Sequence, residues 1–208
     1  MATVILVRHG RTTANASGML AGRMAGIRLD DAGTVQAERT GARIAAVPLA
    51  AVVSSPLERC RQTAKALLAA RSDPDPLRVR VDKGITECDY GEWQGSLLKD
   101  LVKEPLWRTV QAQPSAATFP GGESMSAMQA RAVAAVRSHD AAVEREHGAA
   151  AVWVAVSHGD IIKSVLADAL GGREVTVLND ADAAGLAEHR YGAGAGHRGV
   201  VILLTFGT

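Results

Sequence analysis

The sequence feature that most constrains this chain is a short apolar run that stops abruptly at two basic side chains. Residues 4–7 are Val-Ile-Leu-Val, and Arg8, His9 and Gly10 follow them directly. Four consecutive aliphatic residues are typical of a strand that is buried on both faces, and glycine allows the backbone to turn sharply afterwards. We therefore expect Arg8 and His9 at the carboxyl end of a central strand, where open α/β sheets bind their ligands.

The same pattern of an apolar run that ends in polar residues occurs twice more along the chain. Residues 51–53 lead into Ser-Ser-Pro, and residues 149–156 lead into Ser-His-Gly. Helical patterns separate these runs, with helices expected at about 31–47, 57–68, 123–147 and 160–170, shorter helical pieces at 96–103 and 106–111, and further strands at 77–81 and 200–206. Alternation of strands and helices favours an α/β fold, a three-layer α/β/α sandwich around a mostly parallel central sheet.

Basic residues follow each of the three main strands. Arg8 and His9 follow the first, Arg59 lies at the start of the helix after the second, and His158 follows the late strand. Because the carboxyl ends of parallel strands meet at one edge of a sheet, these side chains are expected to converge in one pocket. Helix N-termini at the same edge add unpaired N–H groups and a positive dipole end. The sequence therefore predicts an anion site, with phosphate as the natural candidate.

The bulk properties place limits on the class of protein. The 208 residues fit a single domain, 1–208, and the net charge of +1 gives no reason to expect nucleic acid or a membrane surface as a partner. Neither a signal-peptide pattern nor an apolar run of membrane-spanning length occurs. Cys60 and Cys88 have no metal-ligand spacing and are interpreted as reduced thiols, so a cytoplasmic protein is expected.

Six motifs, in order along residues 3–170, resemble those of the histidine phosphatase superfamily, the phosphoglycerate mutase-like group. The first is Arg8-His9-Gly10-x-Thr12-x-x-Asn15, in which Arg11 stands where many members have glutamate. The others are Leu29-x-x-x-Gly33-x-x-Gln36-Ala37, Ser54-Ser55-Pro56-Leu57-x-Arg59-x-x-Gln62-Thr63-Ala64, Glu87-x-x-x-Gly91-x-Trp93-x-Gly95, Pro120-Gly121-Gly122-Glu123-Ser124 and Val156-Ser157-His158-Gly159. A single Arg-His-Gly is weak evidence, whereas six ordered motifs are strong.

The resemblance implies a phosphoglycerate mutase-like fold and a set of roles. His9 would be the nucleophile and become a phosphohistidine, and Glu87 would protonate the leaving group and later deprotonate the attacking water. The phosphoryl oxygens would be bound by Arg8, Arg59 and His158, with Asn15 and Gly159 as further phosphate contacts. The implied activity is hydrolysis of small-molecule phosphomonoesters, with no metal and no cofactor.

The chemistry of phosphoryl transfer is consistent with these residue types. A phosphoryl group in transfer spreads negative charge over its equatorial oxygens, so fixed cations and hydrogen-bond donors supply most of the catalysis. The planar fork of arginine holds two oxygens at once. A neutral imidazole can attack phosphorus, and an alkoxide leaving group needs an acid.

Several residues have two interpretations from sequence. Asp89, Glu92 and Asp160 are alternatives to Glu87 as the acid. Trp93 and Trp107 could line a substrate cleft or pack in the core. Glu123 could orient pocket residues or simply occupy the first turn of its helix, where a carboxylate is stabilised in any case.

Two other functions stay open at this point. A phosphoglycerate mutase is one, although residues 96–119, expected as a cap over the pocket, offer only the cations Lys99, Lys103 and Arg108. A non-catalytic module that binds a phospho-ligand or a protein is the other. Substrate specificity is expected to lie in residues 18–27 and 96–119, and pairing of an edge strand could join two chains as a homodimer. The segment 181–199 is poor in β-branched residues, which leaves the far edge of the sheet undefined.

Overall fold

A computed structural model describes residues 2–72 and 76–169 and the backbone of 202–204. Its centre is a parallel sheet with the strand order β3-β2-β4-β1-β5. The strands are β1 (Thr3–Arg8), β2 (Leu49–Ser54), β3 (Val79–Val81), β4 (Val152–Ser157) and β5 (Ile202–Leu204). The predicted α/β fold with a mostly parallel sheet is confirmed.

Helices cover both faces of this sheet. They are α1 (Thr13–Ser17), α2 (Asp31–Ile44), α3 (Glu58–Ala69), α4 (Leu98–Leu101), α5 (Pro105–Ala112), α6 (Met125–His147) and α7 (Gly159–Ala169). Helices α2 and α3 pack together on one face, while α6 and α7 pack together on the other. The layers are therefore α/β/α, as predicted. Within the described ranges, no helix is both long enough and apolar enough to cross a membrane.

The apolar alternation along the strands explains why both faces are covered. In β1, Ile5 and Val7 belong to the cluster formed with α2 and α3, whereas Val4 and Leu6 belong to the cluster on the side of α6 and α7. Successive side chains of a strand point to opposite faces, so a strand that is aliphatic throughout must be buried on both. The continuous run at 4–7 therefore forces β1 into the middle of the sheet.

Some boundaries differ from the predicted ones. Helix α2 ends at Ile44 instead of continuing to residue 47, and β3 spans only Val79–Val81 of the expected 77–81. Helix α5 begins at Pro105, one residue before the predicted piece at 106–111, because proline needs no N–H partner in the first turn. The segment 181–199 lies outside the described residues.

Two glycines allow the loop after β1 to lie directly against the start of α2. A Cβ atom on Gly10 would lie 2.3 Å from the carbonyl oxygen of Gly33, and one on Gly33 would lie 1.9 Å from the carbonyl oxygen of Arg11. Both obstacles are backbone atoms, which cannot rotate away as a side chain can. This close approach holds the loop that carries His9 against the rest of the domain.

We expect Gly33→Ala to lower the free energy of unfolding by about 1–3 kcal/mol or more, because overpacking against fixed backbone forces the loop away from α2. The measurement is urea unfolding followed by circular dichroism. Val35→Ala is the matched control, since Val35 is exposed on the same helix. Equal stability of Gly33→Ala and the wild type would contradict the tight contact.

Candidate active site

The strand register brings three polar loops together at one edge of the sheet. Arg8 pairs with Ser157, and Ser54 pairs with Val156. The N–H of His9 continues the ladder by donating to the carbonyl of Ser157 at 3.0 Å. The first residues after β1, β2 and β4 therefore lie side by side, as the sequence predicts for parallel strands.

His9 is buried, and its ring orientation is fixed by its own loop. Nδ1 lies 2.8 Å from the carbonyl oxygen of Gly10, a distance at which Nδ1–H donates to that oxygen. This tautomer leaves Nε2 as the acceptor, and Arg59 Nε donates to it at 3.2 Å. Burial, together with the positive charges of Arg59 and Arg8, lowers the pKa of His9 to about 3. The imidazole is therefore neutral, with its Nε2 lone pair turned towards a guanidinium.

Arg59 lies at the centre of the site and is almost completely buried. Its Nη2 donates to the carbonyl of Gly22 at 2.8 Å and lies 3.2 Å from Nδ1 of His158. Its Nη1 is buried and has no hydrogen-bond partner among the residues that the structure describes. A buried charged donor without a partner is costly, so this nitrogen marks a place for an acceptor, most effectively an anion.

His158 is fully buried beside His9, with the two ring centroids 5.2 Å apart. Its Nε2 lies 2.8 Å from the hydroxyl of Ser55, and its Nδ1 lies 3.7 Å from Oε2 of Glu87. Burial and the positive charge of Arg59 hold the pKa of His158 well below its usual range. The second imidazole is thus also neutral and directs Nδ1 towards Arg59 and Glu87.

Glu87 lies in the irregular segment between β3 and α4, and its side chain is 12% exposed. Its Oε1 accepts a hydrogen bond from the N–H of Cys88 at 3.0 Å. Burial, reinforced by the negative charge of Asp160, raises the pKa of Glu87 to about 7. A carboxyl group with this pKa can donate and accept a proton near neutral pH.

The remaining predicted phosphate contacts lie at the same edge. Arg8 is half-buried, and a Cβ on Gly159 would lie 3.6 Å from its Nε, so the arginine crosses the N-terminus of α7. Asn15 is exposed, and its Oδ1 accepts from the N–H and hydroxyl of Thr12 to form the capping box of α1. Its role as a phosphate contact stays a prediction.

The three alternative acids have other surroundings. Asp89 accepts from the N–H of Gly91 at 3.1 Å, and Glu92 is exposed. Asp160 accepts from the hydroxyl of Tyr90 at 2.6 Å. Of the four carboxylates, Glu87 is the one with an oxygen within 4 Å of His158 in the described part of the chain.

The sequence did not predict a group of three charged side chains, Arg23, Arg131 and Glu123, that hold the backbone of the Glu87 segment. Arg23 and Arg131 both donate to the carbonyl oxygen of Glu87, at 2.8 and 3.1 Å. Glu123 accepts hydrogen bonds from both arginines and from the N–H of Asp89. The orienting interpretation of Glu123 thus fits the geometry. No periodic spacing signals these contacts, because Glu123 precedes the N-cap of α6, Ser124, and Arg23 lies in the connection between α1 and α2.

The aromatic side chains of this region pack with one another. Trp93 is buried, stacks on Trp107 at a centroid distance of 6.2 Å and touches Phe119 edge-on. The core interpretation of Trp93 is the one that the structure supports. This packing joins the segment 96–119 to the loop that carries Glu87.

The lowered pKa of His9 has a consequence for stability. In the unfolded chain histidine titrates near about 6.5, so unfolded molecules gain a proton as pH falls below that value while folded His9 stays neutral until about pH 3. The contribution of neutral His9 to the free energy of unfolding is therefore fully present above the unfolded pKa and is lost as the pH falls towards the folded pKa of about 3. Between pH 7 and pH 5 the titration of this one group lowers the free energy of unfolding by about 2 kcal/mol.

When the pH is lowered from 7 to 5, the free energy of unfolding should fall by about 2 kcal/mol more in the wild type than in His9→Asn, because the substitution removes this proton uptake. Urea unfolding at the two pH values measures the difference. Val35→Ala, which removes no titratable group, should keep the wild-type pH dependence. An unchanged dependence in His9→Asn would contradict the burial of a neutral imidazole.

Comparison with known proteins places this arrangement in a family. A model of the histidine phosphatase superfamily (branch 1) matches residues 4–194. Polyphosphate glucokinase of Mycobacterium tuberculosis is 37% identical over 138 residues, which cover 60% of this chain and 45% of that protein. Fructose-2,6-bisphosphatase TIGAR of Xenopus tropicalis is 31% identical over 127 residues, covering 61% of this chain and 46% of that protein. The chain thus spans less than half the length of these curated relatives.

A solved structure extends the likeness to the fold. The mycobacterial glucosyl-3-phosphoglycerate phosphatase, solved as a complex with VO3, superposes with a TM-score of 0.70 at 28% identity over 81% of both chains. The family match covers nearly the whole chain, and it includes His9, Arg59, Glu87 and His158. This chain belongs to the histidine phosphatase superfamily, branch 1.

Proposed function

We propose that this protein is a metal-independent phosphatase that hydrolyses small-molecule phosphomonoesters through a phosphohistidine at His9. The observation that carries the proposal is the buried Nη1 of Arg59, which has no hydrogen-bond partner in the described part of the chain and lies beside the neutral Nε2 of His9. Arg8 and the N-terminus of α7 add positive potential at the same edge. A tetrahedral phosphoryl group matches this combination of one lone pair and several converging donors.

In the first step, the phosphoryl group of the substrate displaces Arg59 Nε from His9, so that phosphorus lies opposite Nε2 and the phosphoryl oxygens accept hydrogen bonds from the guanidinium. Nε2 then attacks phosphorus, the P–N bond forms and the bond from phosphorus to the leaving oxygen breaks. Glu87, protonated, gives its proton to that oxygen, so an alcohol leaves. If the Ser55 hydroxyl donates to Nε2 of His158, Nδ1 carries the hydrogen and donates to a phosphoryl oxygen.

In the second step, water enters on the side that the alcohol has left. Glu87, now a carboxylate, takes a proton from the water as its oxygen attacks phosphorus. The P–N bond breaks, and its electron pair returns to Nε2 of His9. Inorganic phosphate leaves, and Glu87 is protonated again, which completes the cycle without a metal or a cofactor.

The names of the relatives support a small phosphorylated substrate. One is a fructose-2,6-bisphosphatase and another a glucosyl-3-phosphoglycerate phosphatase, and both names describe removal of phosphate from a sugar or glycerate derivative. We assign the choice of substrate to residues 18–27 and to a cap at 96–119, within one domain spanning 1–208. A cytoplasmic location, a homodimer and the lack of a nucleic-acid partner stay predictions from the sequence.

We expect His9→Ala to lower phosphate release from 4-nitrophenyl phosphate by about three orders of magnitude or more, because the nucleophile is lost. Colorimetric phosphate assay in the presence of a chelator is the measurement. His147→Ala, which removes an exposed histidine at the end of α6, is the matched control and should keep wild-type activity. Loss of wild-type activity with chelator would contradict the metal-independent route.

A second result separates hydrolysis from the mutase alternative. Wild-type protein that releases no phosphate from a broad panel of monoesters, yet converts 3-phosphoglycerate to 2-phosphoglycerate when primed with bisphosphoglycerate, would replace the proposed phosphatase with a mutase. Wild-type protein with neither activity that still binds phosphate would indicate the non-catalytic module.

The raised pKa of Glu87 predicts a dependence on the leaving group. For a simple alkyl phosphate, kcat/KM should fall as pH rises through about 7, because the free enzyme then loses the proton that the alkoxide needs. For 4-nitrophenyl phosphate, whose leaving group needs no proton, this fall should be absent. Glu87→Gln should lower kcat/KM for the alkyl ester by about 10²–10⁴ and kcat/KM for the aryl ester far less, because kcat/KM covers the steps up to departure of the alcohol and not the later attack of water. Equal losses for the two esters would assign the proton to another group.

A further inference from the structure

The dipeptide Gly22-Arg23, in the connection between α1 and α2, lies between the two halves of the proposed site. The carbonyl of Gly22 accepts from Nη2 of Arg59, the phosphate-binding side, at 2.8 Å. The N–H of Arg23 donates to the amide oxygen of Gln94 at 2.6 Å, so the backbone here is held on both sides. The φ of Gly22 is +49°, in the left-handed region that favours glycine.

The side chain of Arg23 contacts the other half of the proposed site, the segment that carries Glu87. Its Nε donates to the carbonyl of Glu87 at 2.8 Å, and its Nη2 donates to Oε1 of Glu123 at 2.8 Å. Its Nη1 lies 3.4 Å from Oδ2 of Asp89. One guanidinium therefore contacts the backbone of Glu87 and the carboxylates of Asp89 and Glu123.

These contacts matter because no strand ladder holds Glu87. Residues 86–90 form neither helix nor strand. The position of the Glu87 carboxyl therefore depends on side chains that reach its backbone, and Arg23 comes from the connection that also contacts Arg59. Arg131 holds the same carbonyl from α6, and its other hydrogen-bond acceptors are the carbonyls of Gly84 and Thr86 and the carboxylate of Glu123.

We propose that Arg23 is a positioning residue for the protonation step: it fixes the Glu87 carboxyl relative to the phosphoryl group held by Arg59, and it does not touch the substrate. The inference rests on the proposed phosphatase function. Displacement of a catalytic group by about 1 Å can cost about 10²-fold in rate, so loss of this grip should be visible in kinetics.

The test compares two esters in a double-mutant cycle. We expect Arg23→Ala to lower kcat/KM by about 10- to 100-fold for an alkyl phosphate and by less than about threefold for 4-nitrophenyl phosphate. Inhibition by vanadate should be unchanged, because the phosphate-binding groups are intact. In the Glu87→Gln background, Arg23→Ala should cost nothing further on the alkyl ester, since its effect passes through Glu87.

Matched variants guard against a general effect on folding. Arg28→Ala removes an exposed arginine of the same connection, one that pairs with Glu58, and should leave both esters unaffected. Arg23→Lys retains a cation that can reach one acceptor and should recover part of the alkyl rate. If Arg23→Ala does not fold, Arg23→Gln and Arg23→Lys supply the same comparison of esters.

Three results would overturn the proposal. They are equal losses on both esters with weaker vanadate inhibition, an unchanged alkyl rate in Arg23→Ala, and a full further loss in the Glu87→Gln background. Failure of the phosphatase function itself is a different result, since the wild type would then hydrolyse neither ester.

Discussion

The buried guanidinium of Arg59 is the constraint on which the rest of the site depends. A charge removed from water must be paired or hydrogen-bonded, and the partners of Arg59 are neutral: an imidazole nitrogen and the carbonyl of Gly22. One of its nitrogens has none among the described residues. Strand pairing and the close glycine contacts at 10 and 33 hold this unfavourable arrangement in place, which leaves a buried cationic donor where an anion would be stabilised.

Burial of the same pocket sets the protonation states of His9 and Glu87, the proposed nucleophile and the proposed acid. Desolvation disfavours the charged form of any side chain, so it lowers the pKa of His9 and raises that of Glu87. A neutral imidazole and a protonated carboxyl are the two forms that attack on phosphorus requires. The nearby arginines assist the first shift and oppose the second, which is why the pKa of Glu87 rises only to about 7 and leaves it able to act as a base afterwards.

The central sheet and its binding edge could be predicted from sequence because they depend on local patterns. The aliphatic run of β1 requires burial on both faces, and parallel strands bring His9, Arg59 and His158 to one edge whatever the loops do. The contacts of Arg23 could not be predicted in this way. They join residues 64 and 100 positions apart, between segments without periodicity, and only the folded loops bring them together. The capping role of Asn15 is local, yet the same amide also suits a phosphate contact, so sequence alone did not separate the two.

The site thus divides into two parts with different mechanical support. The anion-binding part rests on strand ends and helix starts, whose hydrogen bonds belong to the sheet. Glu87 rests on a segment held by side chains from distant elements. Substitutions that adapt the connection around residues 18–27 to a new substrate can therefore leave the phosphoryl-binding edge intact, but at Gly22 and Arg23 they also reach both parts at once. Gly22 contacts the phosphoryl-binding part and Arg23 contacts the segment of the proposed acid, so the two parts of the site meet in the backbone of this dipeptide.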